Sequence, residues 1–301
     1  INPKDDIEMM EGEEYVRELM SKHIHRLSPD IKSSDGDLIR AKVYTFHALI
    51  SDRFQSGKVF LLGDAAHQMP PFLGQGMCAG MRDAYNLCWK LSGVLSGRFA
   101  RRVLNTYTTE RRPQVRRVIE TAVAHGAIIQ TRNPFKALIR DSYLILGRAL
   151  PFLVGFLKFG EGWQLGQGLF FNETGAELKR PVGEPIPQGW ISRLPLAASQ
   201  RPVLSDCLLS DRFTVVGFDI DPEPFLIDNK THDWLDTLFI GKKGQFIEVE
   251  GELMNWANKN EVSLAIIRPD RQVYGICRKG TVVSHQLSVM LDALDRQLHS
   301  V

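Results

Sequence analysis

The chain is short of cysteine, of charge imbalance and of long apolar runs. Its 301 residues hold four cysteines, Cys78, Cys88, Cys207 and Cys277. None pairs as C-x-x-C and none keeps a metal-ligand spacing, which excludes a disulfide scaffold, a zinc module and dithiol exchange. No metal site is expected, and reduced thiols point to a cytoplasmic protein. Excess charge of one sign is missing too. The 37 Lys and Arg against 35 Asp and Glu leave a net +2 with no cluster, so no nucleic-acid footprint is present. The most apolar window, YLILGRALPFLVGFLKF at 143–159, is interrupted by Arg148 and Pro151. A membrane span needs about 20 predominantly apolar residues. No membrane span is expected there; a buried or dimer-facing helix is, the second leaving a homodimer open. Repeats and low-complexity runs are absent.

The rest is ordinary globular composition, 44% hydrophobic and 24% charged, enough for one large or two medium domains. The opening INPKDDIEMMEGEEY starts on Ile1 and carries no signal peptide. It reads as the middle of a longer chain. Apolar spacing predicts a helix over 7–27, and LIRAKVYTFHALISDRF reads as one or two strands. KVFLL (58–62) reads as a strand buried on both faces. From Met77 the positions 81, 84, 87, 88, 91 and 95 trace one helical face, ended by Gly93 and Gly97. A further helix starts near Ala100, and Pro113 is expected to start or kink the next segment. More helix is expected over 131–160, and a Gly- and Pro-rich connection over 161–200. After Arg201, RFTVVGF, SLAIIRPD and QVYGICR read as strands, and GELMNWANKN and TVVSHQLSVMLDALDRQL as helices. Together they make a separate α/β domain of ordinary size.

Between the strand and the first long helix lies GDAAHQMPPFLGQGMCAG, residues 63–80. Asp64, at the end of a strand, can accept hydrogen bonds from ligand hydroxyls or cap the following turn. Gly74 and Gly76 let backbone approach a ligand closely. The helix beginning near Met77 aims unpaired N–H groups and a positive end at whatever lies in the loop. That favours a phosphate, or a ring that becomes anionic on reduction. No G-K-[ST] follows, so it is not a nucleotide-triphosphate loop.

The run GKVFLLGDAAHQMPPFLGQGMCAGMRDAYNLCWKL, followed by YTTERRP, resembles the second FAD-binding motif of the single-component flavoprotein aromatic hydroxylases, over residues 58 to 113. The fold implied is α/β, a partial FAD-binding domain with substrate-domain strands (p-hydroxybenzoate hydroxylase-like) followed by a thioredoxin-like α/β domain. Its parts are 1–130, the later portion of the FAD- and substrate-binding domain, 131–200, a helical and Gly/Pro-rich connection, and 201–301, thioredoxin-like. The resemblance implies that Asp64 holds the ribityl hydroxyls of FAD and that Pro71 lies beside the isoalloxazine ring. The backbone of Gly74, Gln75, Gly76 and Met77 then faces the pyrimidine edge. His67 reads as structural, bonding within the loop. Asp83, Asn86, Trp89 and Lys90 read as packing and capping residues spread around the helix, and ERRP (110–113) as an ion-pair cluster. Cys207 and Cys277 read as small core residues.

Two departures stand out. Cys78 takes a position where the family commonly has Asn, and a thiol hydrogen-bonds weakly. The G-x-G-x-x-G unit for the ADP half of FAD and the D-G motif are missing, so about 200 residues or more of a typical member are expected upstream. The activity implied is hydroxylation of a phenol such as a hydroxyphenylpropionate, with O₂ and with NADH or NADPH as co-substrate. No catalytic base is assigned; Tyr44 and His47 are the local candidates, and a packing role is the commoner use of either. The alternative is an inactive flavoprotein remnant serving as a binding or scaffold module.

Overall fold

The computed structural model describes residues 7–27, 30, 32, 34–131, 133–149, 164–172, 178–195, 201–226 and 233–300. Much of the apolar window 143–159 therefore lies outside the described residues. The chain forms two units, Ile1–His47 and Ala48–Val301.

The first unit is the predicted helix, broken at Gly12 into α1 (Ile7–Glu11) and α2 (Glu13–Leu27). Glu11 accepts a hydrogen bond from the Val43 N–H at 3.0 Å and pairs with Lys42, tying residues 42–43 back to α1. Of the one or two strands expected from Leu38 onward, only a two-residue one forms. Residues 37–48 are irregular, Tyr44 is 75% exposed, and only Leu49–Ile50 (β1) is extended in a ladder. β-branched and aromatic residues favour a strand only when a neighbour covers them. Tyr44 and His47 consequently sit on no strand.

In the second unit, β2 (Gln55–Ser56) and β3 (Val59–Phe60) pair as a short hairpin, and β1 pairs with β4 (His67–Gln68). The KVFLL run is thus not a strand buried on both faces: Val59 is 65% exposed, because its only ladder partner is Gln55–Ser56. α3 (Gly76–Leu95) matches the predicted periodic segment. A 3₁₀ turn at Arg101–Asn105 leads into α4 (Thr106–Ile129), which continues across Pro113, so that residue does not start a helix. A proline there removes one backbone hydrogen bond. Buried side chains on both sides of it, Tyr107, Glu110, Arg111, Val115 and Ile119, hold the helix in place regardless. α5 (Pro134–Ala149) exposes Phe135, Leu138 and Ile145, so burial within the chain does not hold for its described apolar side chains.

One seven-stranded sheet dominates the rest, in the order β11-β10-β7-β8-β9-β5-β6. Its members are β5 (Trp190–Arg193), β6 (Val203–Leu204), β7 (Phe213–Phe218), β8 (Leu235–Ile240), β9 (Phe246–Glu248), β10 (Val262–Ile267) and β11 (Val273–Arg278). β7, β8 and β9 run parallel and the other neighbours antiparallel. β7 and β10 are buried at every residue, as unbroken apolar runs predict. One face of the sheet is covered by α7 (Val283–His299), the other by α6 (Glu252–Lys259). Cys277 is core and its thiol is pushed up to about 12 by burial. Cys207, expected in the core, is exposed as the last residue of a 3₁₀ turn, Ser205–Cys207, that follows β6 at the sheet's edge.

The sheet's core does not stop at the sheet. Trp89 of α3 meets Phe213 of β7 edge-on at 5.5 Å and Phe99 at 6.0 Å. The Ala100 N–H donates to the Leu298 carbonyl of α7 at 2.7 Å. Helix α3 and the 3₁₀ turn at Arg101–Asn105 therefore share one hydrophobic cluster with the C-terminal sheet.

Candidate functional site

The loop singled out by sequence follows β3 as two 3₁₀ turns, Gly63–Ala65 and Pro71–Leu73, and enters α3 at Gly76. Gly63 packs against α3 so closely that a Cβ on Gly80 would lie 3.2 Å from the Gly63 Cα. Gly74 ends the second turn at φ +62°, a left-handed conformation costly for other residues. Gln75 is the N-cap, yet its side chain makes no capping bond and no acidic residue occupies the first turn of α3. The opening N–H groups of α3 therefore keep their donor capacity.

The predicted ligand-facing residues share an outward position. Asp64, Pro71, Gly74 and Met77 are exposed, and Gln75 and Gly76 are half-buried. Asp64 makes no hydrogen bond among the described residues.

What holds the loop is buried beneath it. Asp83 of α3 accepts from the Gly63 N–H at 3.0 Å, from His67 Nε2 at 2.7 Å and from Arg111 Nε at 2.8 Å. Burial pushes the Asp83 carboxyl up, but His67 and the Arg111 guanidinium outweigh it and hold it below the usual range. Arg111 of α4 also bonds the Ala79 carbonyl at 3.2 Å and the Gln114 side chain. Tyr107 of α4 donates to the Leu61 carbonyl at 2.8 Å. The structural role read for His67 is realised, but its bond goes to α3 and not within the loop.

Phe72 fixes the second turn. A Cβ on Gly126 of α4 would lie 2.3 Å from the Phe72 ring, so the ring occupies the space that only glycine leaves. Gly126→Ala is expected to lower stability by about 1–3 kcal/mol, although alanine is the better helix former. A melting temperature equal to or above the parent's would show that Phe72 is not seated there.

A second buried network lies further along α3. Glu110 of α4 accepts from Lys90 Nζ at 2.9 Å, from Asn86 Nδ2 at 2.7 Å, from the Leu169 N–H at 2.9 Å, and from both Nη atoms of Arg268 at 3.0 and 2.8 Å. Arg268 also grips Asp270 bidentately, at 2.9 and 2.7 Å. Two cations and two carboxylates balance in the core. Burial drives Lys90 down to about 8, against the pull of Glu110. Glu110 stays well below the carboxylate range because Arg268 and Lys90 overcome its burial. Asp83, Asn86 and Lys90 are therefore not spread around α3. Their spacing of three and four puts them on one buried face. That stripe of polar residues was the available signal.

Residues 4–122 match the family model described as FAD binding domain, and 183–293 match the HcaD C-terminal domain. The chain is 30% identical over 294 residues to 3-(3-hydroxy-phenyl)propionate/3-hydroxycinnamic acid hydroxylase of Burkholderia cenocepacia (strain HI2424), covering 90% of this chain and 52% of the relative. It is 33% identical over 264 residues to a probable NADH-specific resorcinol 4-hydroxylase of Rhodococcus jostii (strain RHA1), covering 84% and 46%. The fold is similar to that of the flavin-dependent monooxygenase PieE, solved with FAD and substrate, at TM-score 0.69 and 20% identity over 99% of this chain and 56% of that one. Aklavinone-11 hydroxylase, solved with FAD and aklavinone, gives TM-score 0.63 at 19% identity over 98% and 53%. The chain spans about half the length of the curated relatives it matches.

Proposed function

We propose, on the premise that this chain is a relative of the FAD-dependent aromatic hydroxylases, that it carries the flavin-ring half of an FAD site. The whole reaction is hydroxylation of a phenolic compound, with NADH or NADPH and O₂ as co-substrates. The observation that carries this is the contrast at residues 63–77. The Asp64 carboxylate and the uncapped start of α3 face outward, while Asp83, His67, Tyr107 and Arg111, which fix them from beneath, are buried.

The residues fit the cofactor. Asp64 would accept from the ribityl hydroxyls, and Pro71 would lie along the isoalloxazine ring. The N–H groups of Gly74, Gln75, Gly76 and Met77 would face its pyrimidine edge. FAD bound there and reduced by NADH or NADPH would pass on the two electrons with which one oxygen atom of O₂ enters the phenol while the other leaves as water. The chain's contribution is electrostatic: donors and a positive helix end where the reduced ring carries charge. Backbone N–H groups would hold the ring edge, a task that needs no hydrogen bond from the side chain at Cys78.

Hydroxyphenylpropionates are the substrate class favoured by the relatives' names. The order β11-β10-β7-β8 with α6 and α7 supports a thioredoxin-like reading of 201–301, which β5 extends back to Trp190. With no C-x-x-C its role is structural. The parts 1–130 and 131–200 are retained as the flavin- and substrate-binding portion and the connection. Four free cysteines support a cytoplasmic setting, and the exposed apolar side of α5 supports a homodimer. An inactive scaffold would have no use for Asp64, Pro70, Pro71, Gly74 and Gly76 together in one loop.

The test is fluorescence titration of the chain with FAD. The sequence has no G-x-G-x-x-G for the ADP half, so purification is expected to give a colourless protein that binds added FAD weakly but saturably. Absence of saturable binding would remove the cofactor reading.

A further inference from the structure

The two buried networks meet. Glu110 and Arg111 are neighbours on α4, the first bonded to Arg268 and the second to Asp83. On α3, Asn86 donates to both Glu110 and Asp270, and Asp83 lies one turn before it, accepting from Gly63. From the turn just beyond β10, Arg268 and Asp270 thus reach residues 158 and 184 positions away in sequence. Arg268 is fully buried, its guanidinium 5.3 Å from the Trp89 ring and 4.5 Å from that of Phe170. Ten helical residues, about 15 Å, separate Asn86 from the start of α3.

We propose that the C-terminal domain positions the flavin loop through Arg268 and Asp270, which are positioning residues for the 63–77 loop. Asp270 accepts from Asn86 on the helix that starts at Gly76 and anchors Gly63, and Arg268 acts on that helix through Glu110 of α4, which accepts from Asn86 and Lys90. Binding sites require their elements held to within about 0.5 Å, and a helix with only one buried anchor can rock about it. Asp270 and Glu110 supply the second anchor, and Arg268 holds both of them in a bidentate geometry that lysine cannot reproduce. This inference rests on the FAD reading for its consequence, but not for its mechanics.

The variants are Arg268→Lys, which keeps the charge and loses the fork, and Asp270→Asn. Arg271→Lys is the control. Arg271 lies next to Asp270, but its guanidinium bonds the carbonyls of Leu209, Ser210 and Pro269 within its own domain. Amide hydrogen exchange of the full chain without ligand reads the mechanics, and FAD titration reads the consequence. Both variants are expected to speed exchange at Gly63 and Ala79 by about tenfold while β7 stays protected. FAD binding is expected to weaken about three- to thirtyfold, and the control to leave both unchanged. Unchanged exchange at Gly63 and Ala79 in both variants overturns the proposal. So does an equal acceleration in Arg271→Lys, which marks general loosening. If the parent chain fails to bind FAD, the cofactor reading falls and the exchange arm still decides the coupling.

Discussion

Glu110→Gln is expected to cost about 3–5 kcal/mol of stability, the range for removing one member of a buried charge network. The geometry explains why so near an isostere does so much damage. Oε2 receives Asn86, Lys90 and one Arg268 nitrogen, and Oε1 receives Leu169 and the other Arg268 nitrogen. Whichever way a glutamine amide turned, its NH₂ would meet only donors, while Lys90 and Arg268 would face Asp270 alone. Exposed Glu13, paired with Arg17 four residues on, supplies the comparison. Glu13→Gln is expected to cost under about 0.5 kcal/mol. Urea unfolding of the two variants measures the contrast, and equal midpoints would show that the Glu110 network contributes nothing.

The same network sets the acid limb of stability. Glu110 and Asp83 are both held below their ordinary values in the folded chain. Between folded and unfolded values the unfolded chain binds more protons, so stability rises with pH there. It is complete above the ordinary carboxylate range and is lost as pH falls toward the folded values. Unfolding free energies measured downward from pH 6 are expected to fall less steeply for Glu110→Gln than for the parent. A parallel decline would take Glu110 out of the acid response.

Local signals carried much of this fold. The periodicity of α3, the apolar runs of β7 and β10 and the Gly-Asp…Gly loop were all legible, because each is decided by neighbours in sequence. What failed to show was decided by distant partners. Residues 38–48 have strand composition but no ladder, Pro113 is carried by packing on both sides, and β8 and β9 lack a strong apolar run. The clamp went unread: Asp83, Asn86 and Lys90 stand in a polar stripe at helical spacing, but read as residues spread around the helix. Nothing local shows that Arg268 answers it, since that contact closes a loop of 158 residues.

Asp64→Ala is expected to weaken FAD binding by about 1.5–3 kcal/mol, roughly 10- to 150-fold, the contribution of hydrogen bonds to a charged acceptor. Stability should stay within about 0.5 kcal/mol of the parent, because Asp64 is exposed and supports nothing among the described residues. That separation distinguishes a ligand-holding carboxylate from a turn cap, whose loss would cost about 1 kcal/mol of stability. Asp64→Asn retains one acceptor oxygen without the charge and should fall between parent and alanine. Asp83→Asn is expected to do the reverse: it loosens the Gly63, His67 and Arg111 contacts, so stability drops first and FAD affinity follows. If Asp64→Ala bound FAD like the parent while melting earlier, the loop would be architecture alone, and the outward-facing donors of α3 would need another ligand.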